Sequence, residues 1–103
     1  MRRTRDRTLP EQRPYPILLV RVLATPGALA ALTESHEGAH RFLSRHLAWD
    51  WGDLPEEEKE RNALALYTGN PLRSAFTTRL GVPFLIVTEA DRSATTICLP
   101  HEA

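Results

Sequence analysis

The residues best suited to chemistry in this sequence are the histidines of the stretch His36-Glu37-Gly38-Ala39-His40. On a single helix, His36 and His40 would lie one turn apart on the same face, where two imidazoles can bind Zn²⁺. Glu37 would then polarise a zinc-bound water, as in metalloproteases that carry this motif. With His46 added, the spacing matches that of the metzincin metalloproteases. One hypothesis is therefore a zinc metallohydrolase that uses His36, Glu37 and His40.

The same stretch also fits a helix whose histidines bind no metal. If that helix continues from His40 to His46, the two residues lie about 9 Å apart along the axis, at about 1.5 Å per residue. All protein ligands of a zinc ion lie about 2 Å from the metal. The metzincin motif also needs a glycine three residues after its second histidine, and this sequence has Leu43 there. We therefore expect no metal and no cofactor, and we keep the zinc site as an alternative.

A second group of residues forms the aromatic and acidic connector Trp49-Asp50-Trp51-Gly52-Asp53. Tryptophan is enriched among the residues that dominate the energy of protein interfaces. Trp49, Trp51 and Asp53 are therefore candidate partner-binding residues. In the structural alternative, a tryptophan closes one end of a small core, and Asp53 caps the helix that follows.

The third group is the polar turn Glu89-Ala90-Asp91-Arg92-Ser93. Two carboxylates, a guanidinium and a hydroxyl on an exposed turn could form a recognition surface. Glu89, Asp91, Arg92 and Ser93 are therefore also candidate partner-binding residues. In the structural alternative, Asp91 accepts backbone N–H groups of the turn, and Arg92 pairs with Glu89 across it.

These groups must be positioned by seven elements in the order β-α-α-α-β-β-β. We predict a strand at residues 17–24, a helix capped by Thr25, a helix over residues 36–47 capped by Ser35, a helix from about Asp53 to Thr68 that Gly69 ends, a strand at residues 72–79, and two strands within residues 83–100. The third helix has its apolar positions at Ala63, Leu64, Leu66 and Tyr67. The fold class is therefore α+β, with a small antiparallel sheet and the helices packed on one of its faces. Whether the first strand is at the edge or in the centre stays open.

Composition limits the class of protein. The chain has 103 residues, a formal net charge of zero and 42% hydrophobic residues, which predicts a single domain over residues 17–103. A neutral chain has no global attraction to nucleic acid or to anionic membranes. The longest apolar run is strand-sized, so we expect no membrane span. Cys98 is the only cysteine, which excludes an internal disulfide and favours a cytoplasmic location.

Residues 1–16 differ from the rest of the chain. They hold five arginines and three prolines, with a net charge of +3 once Asp6 and Glu11 are subtracted. Such a segment cannot offset its own ordering entropy, so we predict a disordered basic leader. A basic arm of this kind can bind phosphates, and nucleic-acid binding through these arginines is a further alternative for function.

Several blocks together resemble one family. These blocks are Ala24-Thr25-Pro26-Gly27-Ala28-Leu29, Phe42-Leu43-Ser44-Arg45-His46, Asp50-Trp51-Gly52-Asp53-Leu54 and the stretch from Ile86 to Pro100, with Asn62 and the Leu72-x-Ser74-Ala75-Phe76 stretch between them. The chain resembles the small, functionally uncharacterised bacterial proteins carried on plasmids and integrative elements, often labelled plasmid-related proteins. The resemblance covers about residues 22 to 102. It implies a mobile-element context and no particular activity.

In that family the blocks D-W-G-D-L and T-E-A-D-R-S recur, which implies a joint surface formed by Trp51, Asp53, Glu89, Asp91 and Arg92. The favoured function is therefore a non-enzymatic accessory protein of a bacterial mobile genetic element. It would bind a host or element-encoded protein, with host defence as one target. The oligomeric state is not indicated. If the five residues converge on one concave surface, they form a site; if turns and caps use them, they determine the fold.

Overall fold

The computed structural model describes Ile17 and residues 21–103. Its elements are β1 (Val22–Ala24), α1 (Pro26–Ser35), α2 (Ala39–Leu47), α3 (Glu56–Thr68), β2 (Leu72–Thr77), β3 (Pro83–Thr88) and β4 (Thr95–Cys98), followed by a short 3₁₀ helix (Pro100–Glu102). The predicted α+β class and the order β-α-α-α-β-β-β are confirmed. The predicted leader of residues 1–16, and residues 18–20 of the predicted first strand, lie outside the described residues.

The four strands form one sheet in the order β1-β4-β3-β2. β2, β3 and β4 pair antiparallel, as predicted for the hairpin, with Ile86 opposite Ser74 on one side and Ile97 on the other. β1 pairs parallel to β4, so the sheet is mixed and not purely antiparallel. β4 lies between β1 and β3. It runs in the same direction as β1 and in the opposite direction to β3. β1 therefore lies at the edge of the sheet.

One face of the sheet carries the core. The side chains of Leu72, Ser74 and Phe76 on β2 alternate as buried residues with exposed or half-buried neighbours, as expected for a strand covered on one face. The helices pack on this face, as predicted. The main cluster joins α1 and α2 to the sheet through Ala28, Leu32, Phe42, Leu43, Phe76, Phe84, Ile86 and Ile97. A second cluster joins α3 to the sheet through Ile17, Trp51, Leu54, Ala65, Leu66 and Leu72.

Two of the predicted helix boundaries are confirmed. The Thr25 hydroxyl accepts a hydrogen bond from the Ala28 N–H at 3.2 Å, and Pro26 occupies the first turn of α1. At the other end of the helical region, Gly69 adopts a left-handed conformation with φ 76° and ends α3. Glycine suits that conformation because it has no Cβ to clash with the preceding turn.

The predicted start of the second helix is wrong. α1 continues to Ser35, whose side chain is fully buried and donates to the Leu32 carbonyl at 3.1 Å. His36 then takes a left-handed conformation with φ 59° and ends α1. α2 begins only at Ala39, after the extended Gly38. Ser35 therefore closes the first helix and does not cap the second.

The start and the apolar face of α3 also differ from the prediction. Pro55 precedes the helix, and Asp53 makes no capping contact with it. The residues that α3 buries are Asn62, Ala65 and Leu66, whereas Leu64 and Tyr67 are 67% and 48% exposed. Within the described part of the chain, none of the helices combines the length and hydropathy needed to cross a bilayer.

The outer edge of β2 is closed by two different elements. The Asn62 side chain of α3 donates to the Arg73 carbonyl at 2.6 Å and accepts from the Arg73 N–H at 3.2 Å. One side-chain amide thus makes the two bonds that a neighbouring strand would make. Further along the same edge, the Ala75 N–H donates to the Trp51 carbonyl at 3.1 Å, and the Asp53 N–H donates to the Ala75 carbonyl at 2.7 Å. The N–H and carbonyl groups of Arg73 and Ala75 that point away from β3 are therefore satisfied.

Candidate functional site

The connector of residues 49–53 runs parallel to β2 beside Ala75. Gly52 sits at the closest approach with φ 71°, and a Cβ at this position would lie 2.0 Å from the Ala75 carbonyl oxygen. Only glycine fits this site, because any side chain would meet both the backbone oxygen and the left-handed conformation. The connector is therefore attached to the outer edge of β2 by a single β-bridge between Gly52 and Ala75.

Most side chains of the connector serve the fold. Trp51 is 7% exposed and packs its indole edge-on against the His46 ring, with 5.8 Å between the ring centroids. Asp53 accepts a hydrogen bond from the Thr77 hydroxyl at 3.0 Å. Asp50 accepts from the Arg45 Nε at 2.7 Å, and this bond is the main reason why the pKa of Asp50 is lowered. Trp51 is thus a core residue. Asp50 links the connector to α2, and Asp53 links it to the end of β2.

Trp49 is the exception in the connector. Its side chain is 45% exposed, and its backbone has φ 65°. The Trp49 N–H donates to the His46 carbonyl at 3.1 Å and the Asp50 N–H to the Arg45 carbonyl at 2.9 Å, which together form a Schellman motif at the end of α2. Glycine normally occupies this left-handed position. Among the described residues, the Trp49 indole makes no hydrogen bond and no ring contact.

At the other end of β2, the hairpin turn places Arg92 against four backbone carbonyls. Its guanidinium donates to Asn70 at 2.7 Å and to Ala65 at 3.0 Å, and to Glu89 and Ala90 at 3.2 Å each. The φ of Arg92 is 64°, the conformation that turns its side chain back over the hairpin. Arg92 therefore ties the β3–β4 turn to the last turn of α3 and the loop beyond it.

The other polar residues of this turn divide between structure and surface. Asp91 accepts the Ser93 N–H at 3.0 Å, and hydrogen bonds from the Ser93 side chain and backbone lower the pKa of Asp91. This is the local turn bond that the sequence predicts for Asp91. The side chain of Glu89 lines a hollow of about 320 Å³ on the open face of the sheet, together with Arg73, Val87, Thr96, Cys98 and Glu102.

The histidine motif does not lie on one helix. His36 ends α1 and His40 lies in the first turn of α2, so the helical spacing that would bring their rings together is lost. The Glu37 carboxylate accepts the Arg79 N–H at 2.9 Å, and this bond is the largest contribution to the lowered pKa of Glu37. Among residues 21–103 and Ile17, no three or more His, Cys, Asp or Glu side chains are grouped to hold a metal ion. The donor set therefore does not fit the zinc alternative.

His46 has a role that the sequence analysis missed. It is completely buried, with Nδ1 2.5 Å from the Ser74 hydroxyl and Nε2 2.8 Å from the Thr88 hydroxyl. The Thr88 hydroxyl in turn lies 2.9 Å from that of Thr95. Burial lowers the pKa of His46 to about 4, so the ring is neutral at pH 7. The signal for this network was the row of small hydroxyl residues at inward-facing positions of three adjacent strands.

The two predicted blocks do not converge on one surface. Asp53 lies beside Thr77 at one end of β2, and the Arg92 guanidinium lies beside Asn70, beyond the other end. Leu72 and Thr77, the two ends of β2, are five residues apart, which corresponds to about 16 Å at about 3.3 Å per residue. The two blocks are therefore at least that far from each other. Of the seven candidate residues, Trp51 is buried and Arg92 is half-buried, and both make contacts within the fold. Asp53, Asp91 and Ser93 are exposed but make hydrogen bonds within the fold. Trp49 and Glu89 are also exposed.

No protein-family model, no curated protein and no solved structure matches this chain.

Proposed function

We propose that this protein is a non-enzymatic protein-binding protein and that Trp49 anchors its partner. The observation that supports the proposal is an exposed tryptophan at a backbone position where glycine is normal. A left-handed conformation costs a residue with a side chain about 1–2 kcal/mol. Such a cost is expected to persist where the side chain has a use outside the fold.

The surroundings of Trp49 suit a rigid anchor. The Arg45–Asp50 ion pair, at 2.7 Å, joins the last turn of α2 to the residue after Trp49. The Arg45 guanidinium also lies over the Phe76 ring, 4.6 Å from its centroid, so the ion pair is itself held against the sheet. A tryptophan on a fixed backbone loses little conformational entropy when it enters a partner's pocket, which favours tight binding. Trp49 therefore has the properties of an interface hot spot.

The proposed setting is an accessory protein of a bacterial mobile genetic element, acting in the cytoplasm on a host or element-encoded protein, with host defence as one target. Two observations support this setting. The blocks around Trp51 and Arg92 resemble those of plasmid-related proteins, and Cys98, the one cysteine of the chain, is a free buried thiol. A reduced thiol is the usual state in the cytoplasm.

The experiment compares Trp49→Gly with the unaltered chain in affinity capture from a nuclease-treated bacterial lysate. Glycine is the preferred residue at this backbone position, so we expect Trp49→Gly to keep the melting temperature within a few degrees or raise it. We also expect at least a tenfold loss of the captured protein, as for an interface hot spot. The two readouts together separate loss of binding from loss of folding.

The matched control is Leu80→Ala, which removes another exposed apolar side chain, 58% exposed in the β2–β3 turn. It should leave capture unchanged. A protein captured equally by Trp49→Gly, or no stoichiometric protein captured by the unaltered chain, would contradict the proposal. A parallel capture from untreated lysate separates the alternative, because a protein captured there but not after nuclease treatment would favour nucleic-acid binding.

A further inference from the structure

The face of the sheet that is turned away from the helices contains a hollow of about 320 Å³. Arg73 on β2, Val87 on β3 and Thr96 on β4 are register partners across three neighbouring strands. Their side chains point into this face, because the residues on either side of them in each strand are buried against the helices. The volume falls within the range of small-molecule sites, about 300–1,000 Å³. The other described residues that line the hollow are Glu89, Cys98, Glu102 and Ala103.

The floor of this hollow is apolar and uncharged. Val87 is half-buried, and Cys98 is 3% exposed. Burial raises the pKa of the Cys98 thiol, so the thiol is neutral at pH 7. The Glu102 carboxylate raises this pKa further and the Arg73 guanidinium lowers it, so both charges lie near the thiol. The hollow therefore combines a neutral floor with charged groups around it.

The charged groups around the hollow differ in whether the fold uses them. Glu102 accepts hydrogen bonds from the Thr25 hydroxyl at 2.5 Å and from the Leu99 N–H at 2.8 Å. Arg73 and Glu89 are exposed, and neither side chain makes a hydrogen bond or an ion pair with the described residues. They are diagonal neighbours on adjacent strands, which lie about 7–8 Å apart, within reach of long side chains. One cation and one anion thus line the same hollow without pairing with each other.

We propose that this hollow binds a small aliphatic amino acid. The carboxylate of the ligand binds the Arg73 guanidinium, its ammonium group binds the Glu89 carboxylate, and its side chain covers Val87 and Cys98. A guanidinium binds a carboxylate through two parallel hydrogen bonds, and charge-assisted bonds of both kinds are stronger than neutral ones. The inference goes beyond protein binding and does not depend on the role of Trp49.

Charge favours this class of ligand over a singly charged one. An anion bound to Arg73 would also meet the carboxylates of Glu89 and Glu102, which repel it. A cation bound to Glu89 would meet the Arg73 guanidinium in the same way. A zwitterion places each of its charges beside the opposite charge, so the same groups that reject the other ligands attract it. The apolar floor adds a preference for an aliphatic side chain.

The test is a titration of the full chain with L-leucine, followed by NMR through the amide signals of Val87, Thr96 and Cys98. We expect shifts that saturate with a dissociation constant of about 1 mM, which corresponds to a modest ligand efficiency for nine non-hydrogen atoms. Amide signals of α2, which packs on the opposite face of the sheet, serve as the internal reference and should not shift.

Two analogues of leucine test the zwitterion on the unaltered chain. 4-Methylpentanoate lacks the ammonium group, and 3-methylbutylamine lacks the carboxylate. Each should bind at least tenfold more weakly than leucine, because each leaves one charge of the hollow unmatched. Equal binding of either analogue, or no shift of the three signals at about ten times the expected dissociation constant, would overturn the proposal.

The matched variants are Arg73→Gln and Glu89→Gln, and the control is Arg61→Gln, at an exposed position on α3. The hydrogen bonds that Arg73 and Glu89 make inside the fold use backbone atoms, so both variants should keep the melting temperature within a few degrees. Each should weaken leucine binding at least tenfold, and Arg61→Gln should leave it unchanged. Leucine binding that survives in both variants would show that leucine binds elsewhere and would overturn the proposal.

Discussion

The connector of residues 49–53 and the turn of residues 89–93 lie at opposite ends of β2 and look alike in sequence. Each contains acidic residues and one side-chain-bearing residue in the left-handed conformation, Trp49 at φ 65° and Arg92 at φ 64°. Arg92 in that conformation donates to the carbonyl oxygens of Asn70, Ala65, Glu89 and Ala90 within the described part of the chain. At Trp49, it gives an exposed indole without a hydrogen bond or ring contact in the described part of the chain.

The difference shows how a structural residue can be told from a candidate contact residue when both are polar or aromatic and both lie in loops. In the turn, unfavourable backbone geometry is compensated by contacts inside the molecule. In the connector, Trp51 packs against the core. Trp49 makes no hydrogen bond or ring contact with the described residues that would compensate for its backbone strain. The comparison makes three predictions about the fold, in order of expected effect.

The largest effect is expected at Gly52, where the connector meets β2. Gly52→Ala would place a Cβ 2.0 Å from the Ala75 carbonyl oxygen and 2.7 Å from the Phe76 ring. Overpacking and left-handed strain together should lower the free energy of unfolding by about 4 kcal/mol. Denaturant titration measures the loss.

The control for Gly52 is Gly81→Ala in the β2–β3 turn. Gly81 has φ 89°, but no atom lies within 4 Å of the added Cβ. This substitution should cost only the strain, about 1 kcal/mol. Equal losses at the two glycines would show that the close approach of the connector to β2 contributes nothing to stability.

The next effect depends on pH and comes from His46, which packs beneath the connector against Trp51. Its pKa falls from 6.5 to about 4 on folding because burial disfavours the charged ring. Between these values the unfolded chain binds a proton that the folded chain does not, so stability falls as the pH is lowered from about 6.5 to about 4. The full loss is about 3 kcal/mol, and above pH 6.5 the ring contributes no pH dependence.

Unfolding at a series of pH values measures this slope. His46→Gln should remove the histidine contribution between pH 6.5 and 4, whatever its effect on the stability at neutral pH. His40→Gln, at an exposed position in the first turn of α2, should leave the slope unchanged. A slope that survives in His46→Gln would assign the pH dependence to other groups.

The third effect tests the turn. Arg92→Ala removes the guanidinium that joins Ala65 and Asn70 to the hairpin. Because these bonds are partly exposed, we expect a loss of about 2 kcal/mol in the free energy of unfolding, and faster hydrogen exchange of amides at the end of α3.

Arg92→Gly separates the guanidinium from the backbone strain. Glycine keeps the left-handed conformation without strain, so it should be more stable than Arg92→Ala by about 1 kcal/mol. If Arg92→Ala is as stable as the unaltered protein, the turn does not hold α3, and the contrast with Trp49 disappears.

The parts of the fold that could be predicted from the sequence are those fixed by local chemistry. Thr25 and Pro26 begin a helix, Gly69 ends one, and the apolar and β-branched residues of β3 and β4, with charged residues at their junction, mark a hairpin. The second helix was predicted to start too early because His36 and Glu37 are compatible with a helix. Gly38 was the local signal for a break, and in the structure Ser35 is buried at the end of α1.

Long-range pairing was less accessible to sequence reasoning. The parallel pairing of β1 with β4 joins residues more than seventy positions apart and leaves no local pattern. The same holds for His46, whose partners Ser74 and Thr88 come from two other elements. The sequence nominated both tryptophans of the connector, but only the backbone geometry distinguishes the buried Trp51 from the exposed Trp49.

The Asn62 side chain on Arg73 has a consequence for aggregation. β2 is six residues long, and with its outer edge open it would be a template for strand addition between molecules. Asn62 and the connector occupy that edge, and they leave β1, a strand of three residues, as the open edge of the described sheet. A strand this short is a poor seed for amyloid-like growth. The contact that fixes α3 therefore also blocks strand addition at this part of the outer edge of β2.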